Sequence, residues 1–219
     1  MTFKSALEID CGLRYMYDSL CIMSSCGRKM LLSSDMMTTK SDIEAYYGRL
    51  NDIYKHDCSK IAHKLMYLKD IHNTLSRLSD GSTLDDIELF EVKHLAILSS
   101  QIRNMLTEQN IAAITLPQLD KVVEILDPDK LNIPSFYIYD SYNEALREVR
   151  KQMKAIQAQG DDIAEDKRQE LAMLLQQHAD LELQVREQLS QQLLAYVAPL
   201  TDTLDNLSCL DILIAKAEQ

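Results

Sequence analysis

Between residues 171 and 193 the apolar residues Leu171, Leu174, Leu181, Val185, Leu189 and Leu193 recur at spacings that keep to one face of a helix, and His178 fills the remaining place. Spacings of three and four have the α-helical period, not the alternation of a strand. The stripe predicts one long helix over about 163–197. A second stripe of Leu146, Val149, Met153 and Ile156 predicts a helix over 141–159, opened by a Ser141/Glu144 capping box, and Gly160-Asp161-Asp162 separates the two. Two narrow stripes joined by a short turn predict an antiparallel helical hairpin, with the surplus length of the return helix packed against a body.

The rest of the chain reads as that body. With only five Gly, four Pro and no Trp in 219 residues, and with abundant Leu, Ile, Met, Ala, Gln and Glu, helices joined by short loops are expected. Leu7, Leu13, Met16, Tyr17, Leu20 and Met23 predict a first helix over 6–24, stopped by Gly27. Ser41 with Glu44 opens a second, carrying Ile43, Tyr46, Tyr47, Leu50, Ile53 and Tyr54. Ile61, Leu65, Leu68, Ile71, Leu75 and Leu78 predict a third, from Ser59 to the break at Asp80-Gly81. Ser82 with Asp85 starts a fourth, running through Leu89, Phe90, Val92, Leu95, Leu98, Ile102 and Leu106. A short helix over 119–126 then meets Asp127-Pro128-Asp129, read as a turn because it lacks the further oxygen ligands of a calcium loop. Phe136, Tyr137, Ile138 and Tyr139 form one short extended segment ahead of the arm. Pro199 lies in the first turn of a last helix bearing Leu200, Leu204, Leu207, Leu210, Leu213 and Ile214. The fold class is therefore all-α, a multi-helix core with a long antiparallel helical arm. It divides into 1–139 as core, 140–197 as arm and 198–219 as the helix returning to the core.

Charge and cysteines restrict function. Lys and Arg number 23 and Asp and Glu 34, a net charge of −11, whereas a free-standing nucleic-acid binder carries a basic footprint. The odd set Cys11, Cys21, Cys26, Cys58 and Cys209 has no C-x-x-C pair, which predicts reduced thiols in a cytoplasm, with Cys11 and Cys21 as small buried hydrophobes. Lys4, Glu8, Asp10, Arg14 and Asp18 interrupt any signal-peptide core, and no uncharged stretch has the length of a membrane helix. His178 has no carboxylate or nucleophile partner at motif spacing and reads as packing. No nucleophile–base pair, carboxylate dyad or metal cluster can be assembled from spacing, so no catalytic, cofactor-binding or metal residue is expected in this chain.

"SALEID" near residue 5, "CGRKMLLSS" at 26–34, "DIEAYYGRLNDIY" at 42–54, "LKDIHNTLSRLSDG" at 68–81, "ILDPDKLNIPSFYIYDSYNEALREVR" at 125–150 and "LDNLSCLDILIAKAEQ" at 204–219 follow one another as do landmarks of the MutS family, DNA mismatch repair ATPases. The chain resembles the core and lever region of that family over nearly its whole length. The resemblance implies that 141–159 is the outgoing arm of a lever and 163–197 its return, coupling nucleotide state to DNA engagement, with the extended segment anchoring the arm's base. It implies partners as well: an ATPase domain beyond Gln219 using ATP and Mg²⁺, a homodimer of the parent protein, and DNA. The sequence departs from the family in lacking G-x-x-x-x-G-K-[ST] and an F-x-E wedge, and its tip, "AQGDDIAEDKR", is more acidic than basic. Arg147, Arg150, Lys151 and Lys154 share one face of the outgoing helix and are the candidate DNA contacts, with a salt-bridged surface involving Glu144 and Glu148 as the other reading. A stand-alone protein-interaction module is the competing function. Exposed apolar surface around the last helix would favour the ATPase parent, and a closed polar face the module.

Overall fold

The computed structural model describes residues 2–9, 11–131, 133, 135–158 and 165–219. Among these, the chain forms α1 (Phe3–Ala6), α2 (Leu13–Asp18), α3 (Ser25–Ser33), α4 (Lys40–Tyr54), α5 (Ser59–Leu65), α6 (His72–Ser79), α7 (Asp86–Glu108), α8 (Asp120–Leu126), α9 (Glu144–Gln157), α10 (Glu165–Leu193) and α11 (Val197–Ala217). The fold is all-α. The described residues include no β-strand, only an isolated antiparallel bridge between Thr2 and Asp35. No described helix is long and apolar enough to cross a membrane.

α11 is the axis of the body. Its Leu200, Leu204, Leu207, Leu210 and Leu213 are fully buried among side chains of α4 to α8 and the end of α10. Its opposite side, Ile212 and Ala215, closes a second cluster with Ile22, Leu31, Phe3 and Tyr17. Helical residues run without a gap from Glu165 to Ala217, because a 3₁₀ turn at Leu194–Tyr196 joins α10 to α11. Pro199 explains that turn: its ring nitrogen has no hydrogen to donate to the carbonyl four residues back, so the regular ladder cannot pass through.

The structure redraws several boundaries. The first predicted helix, 6–24, is broken in two and followed by α3, because Gly12 adopts φ +78°, a left-handed conformation suited to a residue without Cβ. Gly27 does not stop a helix. It sits inside α3, where a Cβ would stand 2.8 Å from Asp211 Oδ2 and 2.9 Å from Ile22 Cγ2. The helix predicted over 59–78 is α5 and α6, interrupted at 66–71 where the Asp70 carboxylate accepts the His72 backbone N–H at 3.3 Å. Leu68 and Ile71 are buried in the break itself, so their spacing did not reveal it. The caps also shift: Thr39 rather than Ser41 caps α4, Asp85 with Glu88 forms the capping box of α7, and Asn143 rather than Ser141 caps α9. In each case the cap is the residue with extended backbone, which the pattern of polar residues alone does not identify. Residues 136–139 lie in irregular coil that joins no ladder.

Gly27→Ala should destabilise the protein by about 1–3 kcal/mol through overpacking against Asp211. Gly48→Ala, mid-helix in α4 with open space around the new methyl, should stabilise by roughly 0.5–1 kcal/mol. Urea midpoints of the two variants check both signs.

Candidate functional site: the arm and its base

α9 and α10 pack against each other through an apolar seam of their own, Val149, Ile156 and Leu174, flanked by Met153, Leu171 and Leu181. Residues 159–164, which hold the predicted Gly160-Asp161-Asp162 turn and the ends of both predicted arm helices, lie outside the described residues. Farther along, Val185, Leu189 and Leu193 of α10 enter the main core, so the return helix belongs to both arm and body.

A charged knot fastens the arm where it meets the body. The Arg150 guanidinium donates to Ile138 O at 2.7 Å, Asp140 at 2.6 Å, Glu182 at 2.9 Å and His178 Nε2 at 3.1 Å. Glu182 also accepts from Arg186 at 3.3 Å, and Arg186 donates to Asp86 at the start of α7 at 2.8 Å. Hydrogen bonding to Asp86 holds the Arg186 guanidinium above its already high pKa, burial notwithstanding. One network thus links α9, α10, α7 and the coil before α9. His178 belongs to it, as the acceptor of an arginine N–H rather than as a member of the apolar stripe.

Below the knot a second network holds the coil. Lys93, fully buried on α7, lies 3.4 Å from Asp127 and 3.3 Å from both the Tyr139 hydroxyl and the Ser135 carbonyl. Tyr139 donates to Asp127 at 2.8 Å, and Tyr142 donates to Ile125 O at 2.7 Å. Burial, hydrogen bonding to Asp127 and that carboxylate's charge push the Tyr139 phenol well above its ordinary pKa. Asp127 does form the expected turn, since its carbonyl accepts Lys130 N–H at 3.0 Å. Its ion pair was missed, although Lys93 beside Leu89, Val92 and Ala96 on the buried stripe was a signal for a hidden carboxylate.

The four candidate DNA contacts separate. Arg150 is turned inward and fully engaged, with its side chain 23% exposed. Arg147 and Lys151 are exposed and pair with Glu144 at 3.1 Å and Glu148 at 3.9 Å, while Lys154 is exposed on the same helix. Cys11 and Cys21 are exposed rather than buried, because the broken first helix leaves them in irregular chain. Cys26 and Cys58 are the buried thiols, both pushed up to about 11, chiefly by burial. No group of three or more His, Cys, Asp or Glu among the described residues converges as metal ligands.

A third polar cluster ties α3, α6 and α11 together. His72 places Nδ1 at 2.7 Å from Asp70 and Nε2 at 3.4 Å from Asp205, and Lys29 donates to Asp70 at 2.5 Å. Only an imidazolium can donate to both carboxylates. Burial pulls the His72 pKa down, but hydrogen bonds to Asp70 and Asp205 outweigh it and the net shift is upward. The hydrogen bond from Lys29, helped by His72, holds Asp70 down to about 2. The raised histidine contributes stability below its unfolded value of about 6.5, lost as pH rises through the folded value; the depressed carboxylate contributes above about 3.9, lost as pH falls toward about 2. His72→Gln should therefore flatten the alkaline side of a plot of urea midpoint against pH and weaken the acid side only in part, because Lys29 still holds Asp70 down. Profiles parallel to wild type would contradict the assignment.

The molecule is thus an all-α protein whose body carries a helical-hairpin arm locked at its base. No protein-family model matches the chain, and no curated protein matches it.

Proposed function

We propose that this chain is the core and lever module of a MutS-like DNA repair or recombination ATPase, acting mechanically between DNA engagement and a nucleotide-driven domain. The observation that carries the reading is the helical path from Glu165 to Ala217, in which only the 3₁₀ turn at Leu194–Tyr196 separates the return helix of the arm from the axis of the body. A two-helix arm with its own seam moves as one piece, and displacement at its far end is delivered to α11 rather than dissipated in a loop. The coil before α9, pinned by Arg150 and Tyr139, then serves as the fulcrum.

On this reading the chain performs no catalysis, and ATP with Mg²⁺ belongs to the ATPase domain that partners it. This assignment is supported by the sequence, which has no glycine-rich phosphate loop, and by the N-termini of α3, α4, α7 and α9, which are closed by their own caps. The parent works on DNA in the cytoplasm as a homodimer. One observation favours the second reading, a stand-alone protein-interaction module. α11 is covered to Ala215 by the chain's own helices, and the exposed apolar residues near its end, Tyr15 and Met16, belong to α2.

The test is to recover the protein from its native source under mild conditions and assay it for ATP hydrolysis. Hydrolysis that travels with the chain and is stimulated by duplex DNA supports the lever. An ATPase-free complex with other proteins supports the module. The chain alone should bind duplex DNA only as nonspecific proteins do, with dissociation constants of about 10⁻⁴–10⁻⁶ M. Anisotropy titrations at two salt concentrations check this, and submicromolar, strongly salt-dependent binding would contradict it.

A further inference from the structure

A cavity of about 260 Å³ opens between the end of α5 and the outer face of α7, walled by Tyr67, Phe90, His94 and Ile97. Its charge is unlike that of the molecule. The chain carries a net −11, yet among the described residues no Asp or Glu lines this cavity, whereas Lys64, half-buried, and Lys93 do. The Lys69 ammonium stands 5.6 Å from the centre of the ring of Phe90, one of the cavity walls. Lys64 and Lys69 have no carboxylate within 4.0 Å among the described residues. An aromatic-lined hollow with lysines and no carboxylate in its lining is a recognition pattern: flat walls for a ring and a positive edge for an anion. Burial and the charge of Lys69 also keep His94 below its usual pKa, so its imidazole meets the ligand neutral.

We propose that this cavity binds a small aromatic carboxylate, its ring held between Tyr67, Phe90 and Ile97 and its carboxylate on the ammonium groups of Lys64 and Lys69. The volume lies below the range of about 300–1,000 Å³ for drug-sized ligands, which selects one ring system with a short acidic arm. The site is separate from the arm and independent of the lever reading.

Calorimetric titration of the whole chain with indole-3-acetate and 4-hydroxyphenylacetate, with indole-3-acetamide as the neutral counterpart, tests it. The expected result is a single site that takes at least one of the two acids, with indole-3-acetate held about tenfold more tightly than its amide if it is the one bound. Ile97→Trp, which fills the hollow from a half-buried position, should abolish binding. Lys64→Gln with Lys69→Gln should lower the acid to the affinity of the amide or below detection, with helical circular dichroism and melting unchanged. Absence of binding by both acids, equal binding of acid and amide, or acid binding that survives the lysine pair would each overturn the proposal. The lysine pair decides even if Ile97→Trp fails to fold.

Discussion

Asp211→Ala is expected to cost about 3–4 kcal/mol, the summed penalty of leaving several buried donors unmade. Asp211 lies on α11 at 1% exposure and accepts the Met23 N–H at 3.0 Å, the Ser24 N–H at 2.7 Å and the Ser24 hydroxyl at 2.5 Å. Ser24 in turn accepts Gly27 N–H at 3.0 Å, so one carboxylate organises the entry of α3 and the tight approach of Gly27. Removing it strands the two backbone donors and opens a cavity where the carboxylate stood. Burial holds the Asp211 pKa above its ordinary value, so the ionised form is retained at a cost that its donors only partly offset. Asp202→Ala, on the exposed side of the same helix, should stay within about 0.5 kcal/mol of wild type and serves as the control. Denaturant unfolding measures both, and an Asp211→Ala midpoint indistinguishable from that of Asp202→Ala would refute the assignment.

Lys93→Met should cost about 3–5 kcal/mol, because it leaves a buried carboxylate without its counter-charge. Asp127 would retain the Tyr139 hydroxyl at 2.8 Å and the Leu131 N–H at 3.3 Å, which places the value toward the lower end. Lys93→Met combined with Asp127→Leu should cost less than the sum of the single changes by about 1–3 kcal/mol, because the second substitution removes the charge that the first one stranded. Additive costs would mean that the pair does not interact. The effect should also reach the arm. Lys93 and Tyr139 hold the coil on which Arg150 closes, so amide protection in α9 should fall in Lys93→Met more than protection in α11.

The arm was readable because its apolar stripe is long and local. Val149, Ile156 and Leu174 needed only their own spacing to announce a seam, and each is buried as that spacing requires. The N-terminal third was harder. Leu65, Leu68, Ile71 and Leu75 keep helical spacing straight through a break, since side chains in a tight turn can point inward as well as those in a helix, and Asp70 cuts the helix by binding a neighbouring N–H. The polar anchors were hidden for another reason. Asp211 finds its donors 187 and 188 residues away, and Lys93 reaches across 42 and 46 residues to Ser135 and Tyr139, distances that no local pattern encodes. Arg150 was grouped with Arg147, Lys151 and Lys154 by helical phase, yet phase does not distinguish a cation facing solvent from one facing the coil at its own helix base.

The lever itself is tested most directly by distance. Fluorophores placed at exposed Gln176 on the arm and exposed Lys60 on the body would report arm against body, and a pair at Gln152 and Gln176 would report the arm alone. The measurement is made by single-molecule energy transfer in the assembly recovered from the native source, with and without ATP. ATP should shift the distance between arm and body while the distance within the arm stays fixed. An unchanged distance between arm and body, or arm helices that separate from each other, would contradict it.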